Sequence, residues 1–467
     1  MPHDVAGSAW ANQHPGLPDQ AERLLRRIPK LLEESHDRAE RVLSTPVLTP
    51  TTIGRIGRLA AMTAPDLLPA LRRRNAEAIV PVLARLALNG GPTFVKLGQL
   101  MSSMGFVLPD WVAEPFAGTR DAVPPADAQA IEAVLVSSGI TRHLVSWDRE
   151  PLASASVAQV HRATLDDGRE VVLKVRRPGI VATVASDASW LLPALRFAEG
   201  RDDRLRVANL HGTVELMIRL FAQEVDLRLE AANIVEMALA FERAGQALHV
   251  PIPIPGLVTR RVVALEFIDG VSAASTEEVA RFGHHAEALV RLAITGTLTT
   301  AMVDGIFHGD LHLGNVMVTP NGLALIDFGI VGRLTPVQRR ALMALLMAAI
   351  KEDRSAAFAA LSDFGALPGV DLAEFESRLP PRMNREARRA AREEGGRDFV
   401  AERITSFVRE LAAAGFRVPP ELALFAKNLV YLGDAVARHA PDLDMMQEIG
   451  GAVATIAAHL QSDPTES

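Results

Sequence analysis

The sequence contains no cysteine. Disulfides, thiolate nucleophiles and Cys-based zinc or iron–sulfur sites are therefore excluded, while the compartment is left unfixed. It has no Walker lysine motif and no dinucleotide fingerprint, so two common ways of cradling phosphates are absent. Met1 to Gln20 lack the basic and apolar pattern of a signal peptide. No uninterrupted apolar run has the length of a membrane span, and Ala341–Ile350 is about half of one. The net charge of −7 and pI near 6.0 argue against nonspecific nucleic-acid binding. These absences lead us to expect a cytoplasmic protein without a nucleic-acid partner.

What is present is enough for a large core. The chain has 467 residues, of which 48% are hydrophobic and 22% charged, and is expected to be mostly ordered in two or three lobes.

Residues 307–329 are the most informative segment, reading Phe-His-Gly-Asp-Leu-His-Leu-Gly-Asn-Val-Met-Val-Thr-Pro-Asn-Gly-Leu-Ala-Leu-Ile-Asp-Phe-Gly. His308, Asp310, Asn315 and Asp327 have the spacing of kinase-type phosphoryl-transfer sites. There an Asp orients or deprotonates the nucleophile, and an Asn five residues on, with the Asp of Asp-Phe-Gly, holds the metal ions. Val316–Val318 and Leu323–Ile326 flank Pro320-Asn321-Gly322, a hairpin signal that brings Asn315 and Asp327 together at one end. Two oxygen donors at one mouth suit Mg²⁺ with its waters and phosphate oxygens. His308 is expected to orient the loop, and His312 to be structural.

Along the chain, residues 1–20 read as a disordered polar tail. Ala21–Leu43 places Leu24, Leu25, Ile28, Leu31 and Leu32 on one helical face, suited to packing on its own protein more than to a membrane surface. Thr45–Thr52 reads as a linker. Ile53–Leu88 is helical in pattern and stops at Asn89-Gly90-Gly91-Pro92, with a further helix from Thr93. Residues 126–145 read as helix. Ser156–Leu165 and Arg169–Val175 around Asp166-Asp167-Gly168 read as a hairpin carrying Lys174. Residues 180–200 and 212–245 are expected to be helical, and Val258–Phe267 a strand. After Thr276 nearly everything is expected to be helical apart from the hairpin at the site. The charged stretch Pro380–Arg397 reads as a solvated helix, and Ser462–Ser467 as a tail. The corresponding division is a tail, amphipathic helix and linker over 1–52, a helical extension over 53–150, a smaller lobe over 151–270, a helical lobe over 271–461 and a tail over 462–467.

A phosphate site built on these residues needs a cation. Lys174, amid Val171, Val172 and Leu173, is the candidate, and such a lysine needs an acidic partner. Glu224, Asp226 and Glu230 are available. On one continuous helix Asp226 and Glu230 share a face while Glu224 is rotated away by about 160°, so they serve different partners. Before Lys174 stands Ala153-Ser154-Ala155-Ser156 with Gln159-Val160-His161 in place of a glycine loop. Alanine lacks the free positive φ of glycine, so this loop is expected to be stiff.

In combination, Lys96-Leu97-Gly98-Gln99, the Ala153–Ser156 loop with Gln159–His161, Glu224-Val225-Asp226 with Glu230, and His308–Asn315 with Asp327–Gly329 resemble the UbiB/ADCK-like (AarF-type) atypical kinase family over roughly residues 60–440. The resemblance implies an α+β, bilobal protein-kinase-like fold with a helical N-terminal extension over the site and a mostly helical C-lobe. It implies binding of ATP or ADP with Mg²⁺, and a link to ubiquinone and isoprenoid-lipid metabolism. It places Asp310, Lys174 and His308 as catalytic, and Ala153, Ser154, Ala155, Ser156, Lys174 and Glu224 at the nucleotide. Asn315 and Asp327 would hold the metal, while Lys96, Gln99, Asp226 and Glu230 would be regulatory or occluding. Ser102–Pro109 lacks the Arg and Asp of the family's Ser-x-Arg-x-Asp-Leu-Leu-Pro, so docking of the extension is expected to be weaker.

Three functions remain in view. The first is a Mg²⁺-dependent kinase or ATPase acting on water or on a small-molecule or lipid acceptor, cytoplasmic or peripheral to a membrane. The second is an aminoglycoside- or choline-type phosphotransferase, disfavoured by Lys96–Gln99 and Gln159–His161. The third is a nucleotide-switched pseudokinase that acts on a protein partner.

Overall fold

The computed structural model describes residues 5, 7–13, 15–44, 50–72, 80–82, 84–86, 90–103, 114–116, 123–201, 210–280, 286–351, 353–366 and 419–462. The chain divides into two compact units. One comprises His14–Ala232 and Ile252–Phe267, and the other Met1–Gln13, Asn233–Pro251 and Ile268–Ser467.

The first unit contains an antiparallel sheet of β1 (Leu144–Trp147), β2 (Ala153–Ser154), β3 (Ala158–Leu165), β4 (Glu170–Arg176), β6 (Pro253–Val258) and β7 (Val262–Glu266). The strand order is β1-β3-β4-β7-β6, with β2 pairing β3. Alternation along β4 sends Val171, Leu173 and Val175 into the core and leaves Lys174 on the opposite face. Lys174 lies across from Val160 on β3 and Val263 on β7, so it belongs to a central strand. Helices Leu17–Ser44, Pro50–Arg72, Pro92–Ser103, Ile180–Glu199 and Leu210–Glu224 belong to the same unit. A second core joins Phe94, Leu97 and Met101 to Leu191, Leu195, Val214 and Ile218.

The second unit contains a sheet of β5 (Leu248–His249), β8 (Val271–Ser272), β10 (Val316–Thr319) and β11 (Gly322–Leu325), in the order β5-β11-β10-β8. A two-stranded ladder pairs β9 (Ile306–His308) with β12 (Val331–Arg333). Its helices include Ala286–Thr299, Pro336–Lys351, Arg354–Phe364, Pro420–His439 and Met445–Ser462. Phe307 and Phe425 meet edge to face at 5.4 Å in the core.

Several elements depart from expectation. The described residues among 1–20 are ordered. Trp10 is buried with its indole N–H donating to the Val250 carbonyl, Ser8 Oγ donates to Glu242, and a helix starts at Leu17. Apolar anchoring of one tryptophan outweighs a polar composition. Residues 50–52 of the expected linker open the Pro50–Arg72 helix. The expected helix over 126–145 ends at Ser137, and Leu144 begins a strand. The strand expected from Val258 is a hairpin, β6–β7, that starts at Pro253. The helix expected over 212–245 breaks between Glu224 and Leu227. Ser462 closes a helix. Pro380–Arg397, residues 45–49, Asn89, residues 104–109 and residues 463–467 lie outside the described residues.

Ala286–Asp304 is long and apolar enough, by length and composition alone, to cross a membrane, and half of it is buried in this fold. Ile294, Leu298 and Ala301 are fully enclosed, as in a core helix.

Candidate active site

Lys174 Nζ donates to Glu230 Oε1 at 2.7 Å, with both side chains largely shielded from water. The break before Leu227 decides this pairing. Glu230 lies in the first turn of the Leu227–Arg243 helix, whereas Glu224 ends the preceding helix and Asp226 falls between the two. The shared face expected for Asp226 and Glu230 rested on a continuous helix and does not form.

Glu224 forms an ion pair with Lys96 of the Pro92–Ser103 helix, 2.5 Å between Oε1 and Nζ. Asp226 is buried among arginines, 2.6 Å from Arg228 and 3.2 Å from Arg38 of the Leu17–Ser44 helix. Burial pushes its carboxyl up, but Arg228, Arg38 and Arg260 outweigh this and hold it below the ordinary aspartate range. The three carboxylates thus face different cations: Lys96 for Glu224, arginines for Asp226 and Lys174 for Glu230. Gln99 lies one turn beyond Lys96 on the same helix.

The alanine-rich loop is fastened from behind. Arg177, buried, donates to the carbonyls of Ala155, Pro124 and Val123 and to Ser154 Oγ, at 2.6–3.2 Å. Ser154 Oγ itself donates to the Val123 carbonyl at 2.9 Å. Gln159 accepts from the Ala126 N–H, and His161 reaches the Asp148 carbonyl at 2.8 Å. Gln159 and His161 therefore hold structure together. Ser156 and Val157 share a small cleft with Lys96 and Thr93 of the Pro92–Ser103 helix. The extension and this loop meet within the first unit.

In the second unit β9 delivers His308, and the chain then turns through Gly309 to Asp310. The Gly309 N–H donates to the Ile330 carbonyl at 2.9 Å, and a Cβ at Gly309 would fall 2.5 Å from the Ile330 methyl. The approach of this loop to the strand after Asp-Phe-Gly demands a glycine there. His308 is buried; its Nε2 meets the Ile326 carbonyl at 3.2 Å while Nδ1 meets the Asp310 N–H at 3.0 Å. A carbonyl needs a donor and an N–H needs an acceptor, so the ring is the neutral Nε2–H tautomer. Burial pushes its pKa below the ordinary histidine value, against the pull of Asp310.

Asn315 Nδ2 donates to the Asp310 carbonyl at 2.9 Å. The expected β10–β11 hairpin forms, pairing Val316 with Leu325, and the Ile326 N–H donates to the Asn315 carbonyl at 2.9 Å. That bond holds Asn315 beside the entry to Asp327. Asp327 has φ +62° and is the one non-glycine residue with positive φ among the described residues. Such strain persists where the surroundings impose it, commonly at functional positions. Asn233 Nδ2 donates to the Phe328 carbonyl at 2.8 Å, and Arg333 ties Asn233 to Glu236.

The Pro420–His439 helix supplies two residues that sequence reading missed. Lys427 Nζ lies 2.8 Å from Asp310 Oδ1. Asn428 accepts from the Leu311 N–H at 3.1 Å and donates to the His308 carbonyl. The available signal was a polar pair inside a buried run, since Phe425, Ala426, Lys427, Asn428 and Leu429 are all buried.

Among the described residues no three His, Cys, Asp or Glu side chains cluster into a metal cage. One amide oxygen and one carboxylate on a hairpin base instead fit Mg²⁺, which keeps waters and takes phosphate oxygens rather than a full protein cage. A strand lysine fixed by a helix glutamate, and a His-x-Asp loop followed by Asn and Asp-Phe-Gly, define a kinase-like protein of α+β class.

The family match and the sequence relatives agree. An ABC1 atypical kinase-like domain matches residues 118–361. The chain is 31% identical over 387 residues to the probable protein kinase UbiB of Azotobacter vinelandii, covering 80% of this chain and 71% of that protein. It is 30% identical over 380 residues to Rv0647c, an uncharacterized protein of Mycobacterium tuberculosis, covering 80% and 77%. Among solved structures, the Rv3197–erythromycin complex from Mycobacterium tuberculosis aligns over 80% of this chain and 94% of that one, at 24% identity and a TM-score of 0.47. The chain belongs to the UbiB/ADCK-like family of atypical kinases.

Proposed function

We propose that the chain is a Mg²⁺-dependent, ATP-binding phosphotransferase or ATPase whose acceptor is water or a small hydroxyl compound, including an isoprenoid-lipid or quinone precursor. The observation that carries this reading is the bonded frame around Asp310, Asn315 and Asp327, which presents oxygen donors of the type a magnesium–phosphate site needs.

Each residue then has a task. Lys174, held straight by Glu230, provides positive charge for nucleotide phosphates. Asn315 and Asp327 would hold Mg²⁺, which neutralises phosphate charge when bound. Asp310 orients the acceptor hydroxyl and takes its proton. His308, neutral and bonded at both nitrogens, fixes the Asp310 backbone against the strand leading to Asp327 and takes no proton in the reaction. Gly309, where protein kinases have arginine, removes the usual anchor for a phosphorylated activation loop. The Ala153–Ser156 loop, held by Arg177 and sharing a cleft with Lys96, favours slow or conditional turnover.

The test is phosphate release from Mg-ATP by wild type and Asp310→Asn. Loss of turnover on the order of 100-fold or more with nucleotide binding retained is expected of a positioned base. Unchanged release would remove Asp310 from the mechanism.

A further inference from the structure

The Asp310 loop has a second charged component. Of 49 basic residues in the chain only five are lysines, at 30, 96, 174, 351 and 427. Surface positive charge is therefore carried almost entirely by arginine. Three of the five lysines are shielded against a carboxylate: Lys96 on Glu224, Lys174 on Glu230 and Lys427 on Asp310. Lysine offers a compact ammonium that acts as a point charge, where arginine offers a broad planar fork. Its placement here marks positions where the compact head matters.

Lys427 is held in register. Asn428, fully buried, bonds both the His308 carbonyl and the Leu311 N–H, and so brackets Gly309-Asp310 from the same helix turn. The Lys427 side chain is 9% exposed and that of Asp310 32%. The lysine is largely shielded from water while the aspartate is more open to it. Tyr431, one turn further along the helix, sets its ring centroid 5.6 Å from Nζ, and the edge-on His312 ring lies 6.0 Å from that of Tyr431. An ammonium has three N–H donors. Among the described residues the partners of this ammonium are Asp310 and the Tyr431 face, so an anionic oxygen beside Asp310 can share it.

We propose that Lys427 is a catalytic residue of this site, its ammonium contacting the phosphoryl group in transfer while it fixes Asp310. This rests on the magnesium–nucleotide reading above. In the step concerned, the acceptor oxygen forms a bond to the γ-phosphorus and the bond from that phosphorus to the bridging oxygen breaks. The nucleoside diphosphate leaves with the electron pair, and the acceptor proton passes to Asp310. Lys427 stays protonated and offsets negative charge on the phosphoryl oxygens. A purely structural ion pair would serve the folded loop equally with or without a phosphoryl group, and this difference can be measured.

The measurement is a thermal shift of the full chain with Mg-ADP alone and with Mg-ADP plus aluminium fluoride, which mimics the phosphoryl group in transfer. Wild type is expected to be stabilised by Mg-ADP and stabilised further by aluminium fluoride. Lys427→Met should keep the Mg-ADP shift within about twofold in affinity and lose the fluoride increment, with weakening on the order of 100-fold, the scale of removing one charge-stabilising donor. Lys427→Arg should recover part of it. An intact increment in Lys427→Met overturns the proposal, as does a wild type that binds Mg-ADP and gains nothing from aluminium fluoride. A wild type with no Mg-ADP shift instead overturns the nucleotide reading beneath it. If Lys427→Met does not fold by circular dichroism, acylation of Lys427 in wild type is followed by mass spectrometry. Protection by Mg-ADP with aluminium fluoride beyond that by Mg-ADP supports the proposal, and equal labelling overturns it.

Discussion

Lys174 pairs with Glu230 at 2.7 Å, on a helix that restarts after Asp226. The restart gives three neighbouring carboxylates separate cationic partners, so each can be altered separately. Glu230→Gln keeps the volume and removes the charge that holds Lys174. Breaking so shielded a pair costs about 3 kcal/mol. We expect a lower melting temperature together with at least tenfold weaker Mg-ADP binding, read by calorimetry. Mg-ADP affinity equal to wild type would detach Lys174 from phosphate binding.

Gly309→Ala places a methyl 2.5 Å from the Ile330 side chain and 2.9 Å from its carbonyl. The loop must move, at a cost of about 1–3 kcal/mol for overpacking. Urea unfolding should show that loss, and turnover should fall more than nucleotide affinity because Asp310 is the next residue. Wild-type stability in the variant would contradict the close approach.

His161 is fully enclosed, and burial pushes its pKa below the ordinary histidine value. The unfolded chain, with a pKa near about 6.5, therefore takes up the proton first as pH falls. Stability from neutral His161 is complete above that value and is lost as pH drops toward the folded pKa, at up to about 1.4 kcal/mol per pH unit. His161→Gln should flatten the acid side of the stability profile relative to wild type, as measured by urea unfolding between pH 7 and pH 5. Parallel profiles would show that His161 does not contribute this slope.

Much of the second unit's candidate site was legible because it is local. His308, Asp310, Asn315 and Asp327 lie within twenty residues, and the Pro320-Asn321-Gly322 turn sets their hairpin. Lys174 was legible from the alternation of β4. The helix break at Val225-Asp226 was not, because the apolar pattern continues through it. The break is stabilised by Asp226, which is bound by Arg38 from a helix 188 positions earlier. Lys427 and Asn428 were hidden for the same reason, since their bonds reach back 117 to 120 positions. The placement of residues 7–13 depends on Trp10 finding Val250. Local patterns carry no information about such pairings.

If Asn315 and Asp327 hold magnesium, Asp327→Asn removes the dependence of ADP binding on the ion. ADP binding is measured by calorimetry with and without Mg²⁺ in both proteins. Wild type should bind far more tightly with Mg²⁺, whereas Asp327→Asn should bind ADP weakly and equally in both conditions. Magnesium-enhanced binding of wild-type strength in Asp327→Asn would contradict the site.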